Sequence, residues 1–379
     1  MIYLYWYMCC YNIYVLINQF FNLIILYTML GQIYKYNIFF IIVFLYIEFF
    51  LLFVCLLVYP FIYFLGGNFK NRISNIVKNY CLSSISFMSK ILLCVSFYVN
   101  DKKIFEELCQ DENYILTQNH LTEIDSFIFF NIVNSICDNF NLKTSIVLRE
   151  KTKILVPSYG FLSYFGDDIY LQRNFEKDIE VLSKKTDSKI IYMFPEGTCF
   201  TKQNKQISND YVCNNNLFRY KYVLYPRTKG LYNIIKSNEQ ITHIYDLTVV
   251  YDTIKKNDFG KRFIIVNFFR KYFIPKRFYI NIKKYNIKDE GLESEEDVDN
   301  FLKKVYLSKD NFIEQFNPNV NMFHIAKYNY FNGFLSFITV FITGVLSILL
   351  CFNYKIVQYS YLIEILTFFI NYFLKINNC

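Results

Sequence analysis

The sequence predicts an α/β fold with a mixed, largely parallel sheet, flanked by transmembrane helices at both ends. Short runs rich in β-branched and aromatic residues alternate with helix-like stretches through the middle of the chain. The apolar residues are concentrated near the two ends, in runs long enough to cross a bilayer, for which about 20 residues suffice. We therefore predict membrane segments in 1–65, the α/β domain in 66–330 and a transmembrane hairpin in 331–379.

Four apolar runs carry the membrane prediction. Ile38–Leu65 is almost unbroken and gives the main N-terminal span. Ile2–Leu30 is interrupted by amide side chains, so it is either a second span or a targeting segment. Near the other end, Phe331–Phe352 and Ile356–Leu374 predict two spans joined by a tight turn.

Basic residues give the orientation. Lys70, Arg72 and Lys78 follow the main N-terminal span. The positive-inside rule places this side of the membrane in the cytosol. We therefore expect the middle domain to face the cytosol.

The middle domain contains six predicted strands, at 114–117, 145–149, 169–173, 189–194, 244–251 and 277–282. One helix is predicted after Ser294, which can cap it together with Asp297. The polar stretch 204–221 predicts a loop. Helical stretches between strands are typical of α/β domains in which the sheet is largely parallel.

Composition excludes some classes of function. The net charge of +8 suits an anionic membrane surface or anionic substrates. It is too small to indicate nucleic-acid binding, and no nucleic-acid recognition motif is present. The 11 cysteines form no Cys-x-x-Cys pair and no Cys/His cluster, so we predict reduced thiols and no metal site.

The first candidate for chemistry is His120 in "NHLTEID", which directly follows the predicted strand "YILTQ". This places the histidine at the carboxyl edge of the sheet, where open α/β sheets bind ligands. If a helix begins near Leu121, the carboxylate of Asp125 returns to one ring nitrogen and fixes the tautomer. Such a pair suits a general base acting on a substrate hydroxyl, although the spacing alone also fits a structural histidine.

Three further stretches change this interpretation: "KTKILVPSYGFLSYFGDDIYLQRNFEKD" (151–178), "FPEGTCFTK" (194–202) and "YPRTKG" (225–230). Together with "NHLTEID", their order and spacing resemble the lysophospholipid/glycerophosphate acyltransferase family. The resemblance is strongest to the eukaryotic 1-acylglycerol-3-phosphate acyltransferases, which carry N-H-x-x-E-I-D, E-G-T-R-F-T and L-P-R-T-K-G-F. It covers about residues 40–320.

The resemblance implies a glycerol-phosphate-acyltransferase-like domain and an activity. The enzyme would transfer an acyl group from acyl-CoA to the sn-2 hydroxyl of lysophosphatidic acid, giving phosphatidic acid for phospholipid synthesis. His120 would deprotonate the hydroxyl, which attacks the thioester directly, without an acyl-enzyme and without a role for the thiols. No cofactor is implied, since acyl-CoA is a co-substrate.

The implied partners are acyl-CoA, a lysophospholipid and the membrane, and the oligomeric state is left open. The implied location is the endoplasmic reticulum, with a plastid-type organelle as the alternative. Other acceptors also fit the motifs, namely lysophosphatidylinositol, lysocardiolipin and glycerol-3-phosphate. A non-catalytic lipid-binding scaffold is the alternative from another class.

Site roles follow from position in these motifs. His120 and Asp125 are the implied base and its orienting carboxylate, and Lys151 and Arg173 are implied to bind phosphate. The full set of implied substrate-binding residues is Asn119, Glu123, Lys151, Gly160, Arg173, Glu196, Gly197, Thr198, Pro226, Arg227 and Lys229.

Cys199 departs from the family pattern, which usually has arginine after E-G-T. A thiol cannot replace a bidentate contact between guanidinium and phosphate. Three interpretations remain: Lys202 or Arg227 supplies the charge, the acceptor headgroup is not a bare phosphomonoester, or the enzyme is weak or inactive.

Overall fold

The structure is a computed structural model. It describes residues 96–122, 143–150, 168–251, 277–317 and 322–325, apart from positions 112, 185 and 187, with shorter pieces within 75–87, 125–132 and 334–342. None of the helices in these ranges is long and apolar enough to cross a bilayer. The spans predicted at 2–30, 38–65 and 356–374, and most of 331–352, lie outside the described residues and stay predictions.

The chain divides into two compact units. One comprises Leu82–Glu150 and Gly166–Phe334, and it contains every strand of the structure described below. The described residues of the other unit are short helical pieces within 75–80 and 335–342. The fold and the candidate site belong to the first of these units.

The described residues of this unit contain eight strands and five continuous helices, beside short helical pieces at 82–84 and 86–87. The strands are β1 (Ser96–Val99), β2 (Tyr114–Gln118), β3 (Thr144–Arg149), β4 (Ile169–Leu171), β5 (Ile190–Met193), β6 (His243–Tyr251), β7 (Arg277–Asn286) and β8 (Phe323–His324). The helices are α1 (Lys102–Gln110), α2 (Phe175–Leu182), α3 (Lys202–Asn214), α4 (Thr228–Ser237) and α5 (Glu295–Gln315). All six predicted strands are present.

The strands form one sheet in the order β4-β3-β5-β2-β6-β7-β1-β8. Neighbours from β4 to β6 are parallel, and β1 is parallel to β7. The pairs β6–β7 and β1–β8 are antiparallel. The prediction of a mixed, largely parallel sheet is therefore confirmed. Every residue of β2 and β5 is buried, as expected for central strands covered on both faces.

The helix predicted after Ser294 is α5, and its capping box is present. The Ser294 hydroxyl accepts a hydrogen bond from the Asp297 backbone N–H at 3.1 Å, and the Asp297 carboxylate accepts one from Ser294 N–H at 2.9 Å. These bonds satisfy two donors that the first turn of a helix leaves open. The apolar stripe of α5 that begins at Val298 is buried, as its spacing predicts.

The loop predicted at 204–221 is wrong over its first half, because Lys202–Asn214 is the helix α3. Thr201 caps it, since its hydroxyl accepts the Asn204 backbone N–H at 3.1 Å. Hydrogen bonds to the following segment hold α3 in place: Lys205 Nζ donates to Tyr220 O at 2.6 Å and to Val223 O at 2.9 Å. The sequence hides this helix because few of its residues are apolar and buried.

The parallel strands determine where the predicted motifs meet. In the register of β2 and β5, Thr117 lies opposite Met193, so both strands end at the same edge of the sheet. The segments after these two strands carry His120 and Glu196. Since β3 and β4 run parallel to them, Arg149 and Arg173 lie at the same edge. This is the edge at which open α/β sheets bind ligands.

Candidate active site

His120 and Asp125 form a close pair at this edge. His120 Nδ1 lies 2.9 Å from Asp125 Oδ2. The Asp125 side chain is fully buried, whereas the His120 side chain keeps 18% of its surface exposed. The carboxylate thus fixes the ring through one nitrogen, and the ring remains open to a substrate.

A short turn places Asp125 under the ring. The Thr122 backbone N–H donates to Asp125 Oδ2 at 2.9 Å, and the Thr122 hydroxyl donates to Oδ1 at 3.0 Å. The carboxylate therefore accepts three hydrogen bonds in all, counting the one from the ring. Asp125 lies in a 3₁₀ turn, and its backbone N–H donates to Thr122 O at 3.4 Å.

Neighbouring side chains fix the ring and the end of β2. The His120 ring stacks on Phe194, with 3.9 Å between ring centroids and 18° between the ring planes. The Asn119 amide donates to Val249 O at 3.1 Å and accepts the Val249 N–H at 2.7 Å. Asn119, implied as a substrate contact, is buried and uses its amide to bind β6.

The second ring nitrogen contacts a thiol. Cys199 Sγ lies 3.1 Å from His120 Nε2 and 3.8 Å from Nδ1. Sequence reasoning missed this contact and treated Cys199 only as a lost anion contact. The two residues are 79 positions apart, and nothing in their spacing signals that the side chains meet.

These neighbours change the protonation of the ring. Burial by itself lowers the pKa of His120, but the charge of Cys199 and hydrogen bonds with Asp125 and Cys199 outweigh it. With the charge of Asp125 added, the pKa of His120 is raised from 6.5 to about 10. The ring therefore holds a proton more tightly than a free imidazole does.

The resemblance implies that Glu196 contacts the substrate. In the structure, its carboxylate binds the backbone of His120. Glu196 is 2% exposed, and its Oε1 accepts the His120 backbone N–H at 3.1 Å. Its Oε2 accepts the Leu224 N–H at 3.3 Å. Burial raises the pKa of Glu196 to about 7, although the two N–H donors and nearby positive charge act in the opposite direction.

The turn after β5 brings Cys199 to the ring. Gly197 has φ +69°, a conformation that favours glycine. Its missing Cβ leaves room for Arg227, whose Cδ and Nε would lie 3.4 Å from such an atom. Asn204 Nδ2 donates to Thr198 Oγ1 and to Cys199 O, each at 2.9 Å. Thr198 thus has its hydroxyl engaged with α3.

Three arginines gather near the same edge. Arg149 ends β3, Arg173 follows β4, and Arg227 precedes α4. Burial lowers the pKa of Arg173, and the charges of Arg149 and Arg227 lower it further, so Arg173 is repelled by both of these guanidinium groups. A bound anion would relieve that repulsion. Arg149 was not among the residues predicted from the sequence.

The remaining predicted residues are divided between described and undescribed parts of the chain. Pro226 is buried beside Arg227, and Lys229 is exposed in the first turn of α4. Glu123, Lys151 and Gly160 lie outside the described residues, so their roles stay predictions. Within the described ranges, no group of three or more His, Cys, Asp or Glu side chains is placed to hold a metal ion.

A base held by a buried carboxylate, next to positive charge, suits a transferase that activates a substrate hydroxyl. In comparison with known proteins, residues 99–252 match the family model described as Acyltransferase. The match includes His120, Asp125, the turn after β5 and the three arginines. This part of the chain is therefore similar to the acyltransferase family.

Curated relatives refine the comparison. Lysocardiolipin acyltransferase 1 of Mus musculus is 24% identical over 287 residues, which cover 68% of this chain and 71% of the relative. 1-Acyl-sn-glycerol-3-phosphate acyltransferase delta of Bos taurus is 29% identical over 215 residues, covering 54% and 53%. The 2-acyl-1-lysophosphatidylinositol acyltransferase of Saccharomyces cerevisiae is 30% identical over 128 residues, covering 33% and 32%. The match thus spans about half or less of the last two relatives.

Proposed function

We propose that this protein transfers an acyl group from acyl-CoA to the sn-2 hydroxyl of lysophosphatidic acid, giving phosphatidic acid. The observation that carries the proposal is the His120–Asp125 pair, 2.9 Å apart at the carboxyl edge of an acyltransferase-family domain. Such a pair can take the proton of a hydroxyl and stabilise the imidazolium that results.

The chemistry requires little else from the protein. A hydroxyl is a poor nucleophile near neutral pH, and a positioned base contributes about 10²–10⁴-fold to the rate. The thioester of acyl-CoA already has a good leaving group, so proximity and stabilisation of the oxyanion supply the rest. The direct attack that the family resemblance implies needs His120 to accept the acceptor's proton.

Positive charge supports an anionic acceptor. Arg149 and Arg227 both repel Arg173 at the edge that carries His120. A phosphate group would pair with guanidinium groups through strong, charge-assisted hydrogen bonds. We propose that Arg173 and Arg227 hold the phosphate of the lysophospholipid, while the role implied for Lys151 stays a prediction.

Lysophosphatidylinositol and lysocardiolipin are the alternative acceptors, and one observation favours them. Cys199 stands where an arginine would suit a phosphomonoester, and it faces His120 instead of the arginine cluster. Relatives that carry lysocardiolipin or lysophosphatidylinositol acyltransferase names support the same alternative. A phosphodiester carries one negative charge fewer and needs less positive charge around it.

We propose that the protein is integral to the endoplasmic reticulum membrane, with residues 66–330 facing the cytosol. Lysophospholipids and acyl chains partition into bilayers, at about 0.8 kcal/mol per buried CH₂. An enzyme at the interface meets them there without extracting them into water. Extraction of membranes with alkaline carbonate tests this proposal. We expect the protein to remain in the pellet, and its appearance in the supernatant would contradict a spanning segment.

An acceptor panel tests the proposed reaction. Full-length protein in membranes is given oleoyl-CoA with lysophosphatidic acid, lysophosphatidylinositol, monolysocardiolipin or glycerol-3-phosphate, and CoA release and labelled product are measured. We expect acceptor-dependent CoA release that is highest with lysophosphatidic acid and unchanged by EDTA. A higher kcat/KM for another lysophospholipid would make that lipid the acceptor in place of lysophosphatidic acid. A folded protein that no acceptor stimulates would leave the lipid-binding scaffold as the function.

A further inference from the structure

The connection between α3 and α4, residues 217–227, ends at Arg227, the proposed phosphate ligand. Its backbone is held by charged side chains from other parts of the fold. The ammonium group of Lys205 on α3 donates to two of its carbonyl groups, at 2.6 and 2.9 Å. The buried carboxylate of Glu196 accepts one of its N–H groups at 3.3 Å. The path of this connection therefore depends on side chains that lie outside it.

Asp310 of α5 binds the middle of the connection. Its Oδ1 accepts the Tyr222 N–H at 2.5 Å, and its Oδ2 accepts the Lys221 N–H at 2.8 Å. Asp310 is buried, with 8% of its surface exposed. Hydrogen bonds to a charged group are stronger than those between neutral groups, and a buried carboxylate that loses its donors is costly. This contact therefore fixes the backbone ahead of Arg227 firmly to α5.

Asp299, also on α5, binds the residue directly after Arg227. Its Oδ1 accepts the Thr228 hydroxyl at 2.7 Å. Eleven positions separate Asp299 from Asp310. This spacing is close to three helical turns, so the two carboxylates lie on one face of α5, about 16 Å apart. One face of one helix thus holds the chain on both sides of Arg227.

Arg227 needs such a hold because its neighbours are also cationic. Arg173 is repelled by the charges of both Arg149 and Arg227. Like charges move apart where the chain allows it, yet a phosphate bound by two guanidinium groups requires that they stay close. A backbone fixed on both sides keeps Arg227 in place before the anion arrives. Less of the binding free energy is then lost to ordering the site.

We propose that Asp310 and Asp299 are positioning residues for Arg227, and that they set the affinity of the site for the acceptor's phosphate without touching the substrate. This inference rests on the proposed function for the role of Arg227. It predicts a loss of acceptor binding that acts through the guanidinium group and leaves the chemistry at His120 intact. A merely structural role predicts a lower melting temperature with no preference for the acceptor.

Steady-state kinetics of full-length Asp310→Ala in membranes tests the inference. Alanine removes both oxygens, so the N–H groups of Lys221 and Tyr222 lose their acceptor. With the best lysophospholipid, we expect KM for the acceptor to rise by about tenfold. We expect kcat to stay within about threefold of wild type and KM for oleoyl-CoA to be unchanged. Asp310→Asn keeps Oδ1, which both N–H groups contact, and should restore most of the affinity.

Two further variants accompany this test. Glu314→Gln is the matched control, since Glu314 lies one turn further along α5 and its exposed carboxylate binds Lys221 Nζ at 2.9 Å. It removes an equal charge near the same connection and should behave as wild type. Thr228→Val removes the hydroxyl that Asp299 binds and should raise KM for the acceptor by about threefold.

A double-mutant cycle separates positioning from a general effect on the fold. Arg227→Gln alone should raise KM for the acceptor. If Asp310 acts through the guanidinium group, Asp310→Ala should add little to KM in the Arg227→Gln background. Thr228→Val gives the same cycle if Asp310→Ala does not fold, which melting temperatures show.

Two results would overturn the inference while wild type still turns over. The first is a KM for the acceptor in folded Asp310→Ala and Thr228→Val that equals that of wild type. The second is a rise in KM that is as large in the Arg227→Gln background as in wild type. The proposed function fails separately, if wild type releases no CoA with any acceptor, and this inference then falls with it.

Discussion

Glu196 Oε1 accepts the backbone N–H of His120 at 3.1 Å, across 76 positions of sequence. The other oxygen of the same carboxylate accepts the Leu224 N–H at 3.3 Å. One buried side chain thus ties together the strand ends that carry the base, the turn after β5 and the segment leading to Arg227. The position of the His120 backbone therefore depends on a residue that need not contact the substrate.

Replacing Glu196 by glutamine should change how stability depends on pH. Burial raises the pKa of this carboxyl from 4.5 to about 7, so the folded protein holds its proton more tightly than the unfolded chain. Its contribution to stability is full below pH 4.5 and is lost as the pH rises through about 7. We expect the wild type to lose stability relative to Glu196→Gln between these values.

Thermal unfolding of the two proteins in detergent, from pH 4 to 8, measures this difference. Glu239→Gln, at an exposed carboxyl, is the control and should show no such relative change. If the difference in melting temperature between wild type and Glu196→Gln does not vary with pH, Glu196 does not carry this pH dependence of stability.

Asp125→Asn should lower kcat by at least about 10²-fold with little change in KM. The carboxylate accepts from His120 Nδ1, from Thr122 N–H and from the Thr122 hydroxyl. An amide offers one oxygen and an NH₂ group, so one of these donors loses its acceptor and the ring loses its fixed tautomer. Steady-state kinetics with a saturating acceptor checks this. A kcat comparable to wild type would show that the pair is structural.

Gly197→Ala should weaken binding of the acceptor, and Gly291→Ala is its matched control. The two glycines have similar φ angles, +69° and +62°, so alanine costs each a similar strain of about 1–2 kcal/mol. Only at Gly197 would the new Cβ meet another residue, Arg227 Cδ and Nε at 3.4 Å, whereas at Gly291 nothing lies within 4 Å. We expect both variants to melt earlier and only Gly197→Ala to raise KM for the lysophospholipid. An equal rise in both would mean that strain alone is responsible.

Arg173→Gln should raise KM for the anionic acceptor by about tenfold or more, since a hydrogen bond to a charged group contributes about 1.5–3 kcal/mol. Arg173 is exposed and lies close enough to Arg149 and Arg227 for their charges to affect it. Lys236→Gln, in the last turn of α4, removes an equal charge at the other end of that helix and is the control. If both substitutions act alike, the effect reflects overall charge and not a phosphate site.

Much of the fold could be predicted because the central strands are apolar runs rich in β-branched and aromatic residues. The strands β1 and β8 lie together at one end of the sheet and were missed. Their place depends on pairing with distant residues, such as Ser96 opposite Arg277. The helix α3 was missed because side-chain hydrogen bonds, and not an apolar stripe, hold it.

The candidate site, too, could be predicted only in part from the sequence. The His120–Asp125 pair could be predicted because both residues lie in one short segment, and a local turn decides whether they meet. The contact of Cys199 with Nε2 depends on the path of the turn after β5, which no spacing encodes. The bond from His120 to Glu196 depends on the same turn. Arg149 lies near Arg173 because β3 pairs with β4, which sequence spacing does not show.

The most direct test of acyl transfer by His120 compares CoA release in wild type, His120→Ala and His243→Ala. His243 begins β6, and its ring nitrogen contacts Thr242, so its loss changes the histidine content without touching the site. With oleoyl-CoA and the best lysophospholipid acceptor, we expect His243→Ala to match wild type and His120→Ala to lose at least about 10²-fold in kcat. Equal, acceptor-dependent turnover in all three folded proteins would contradict the role of His120 as the base.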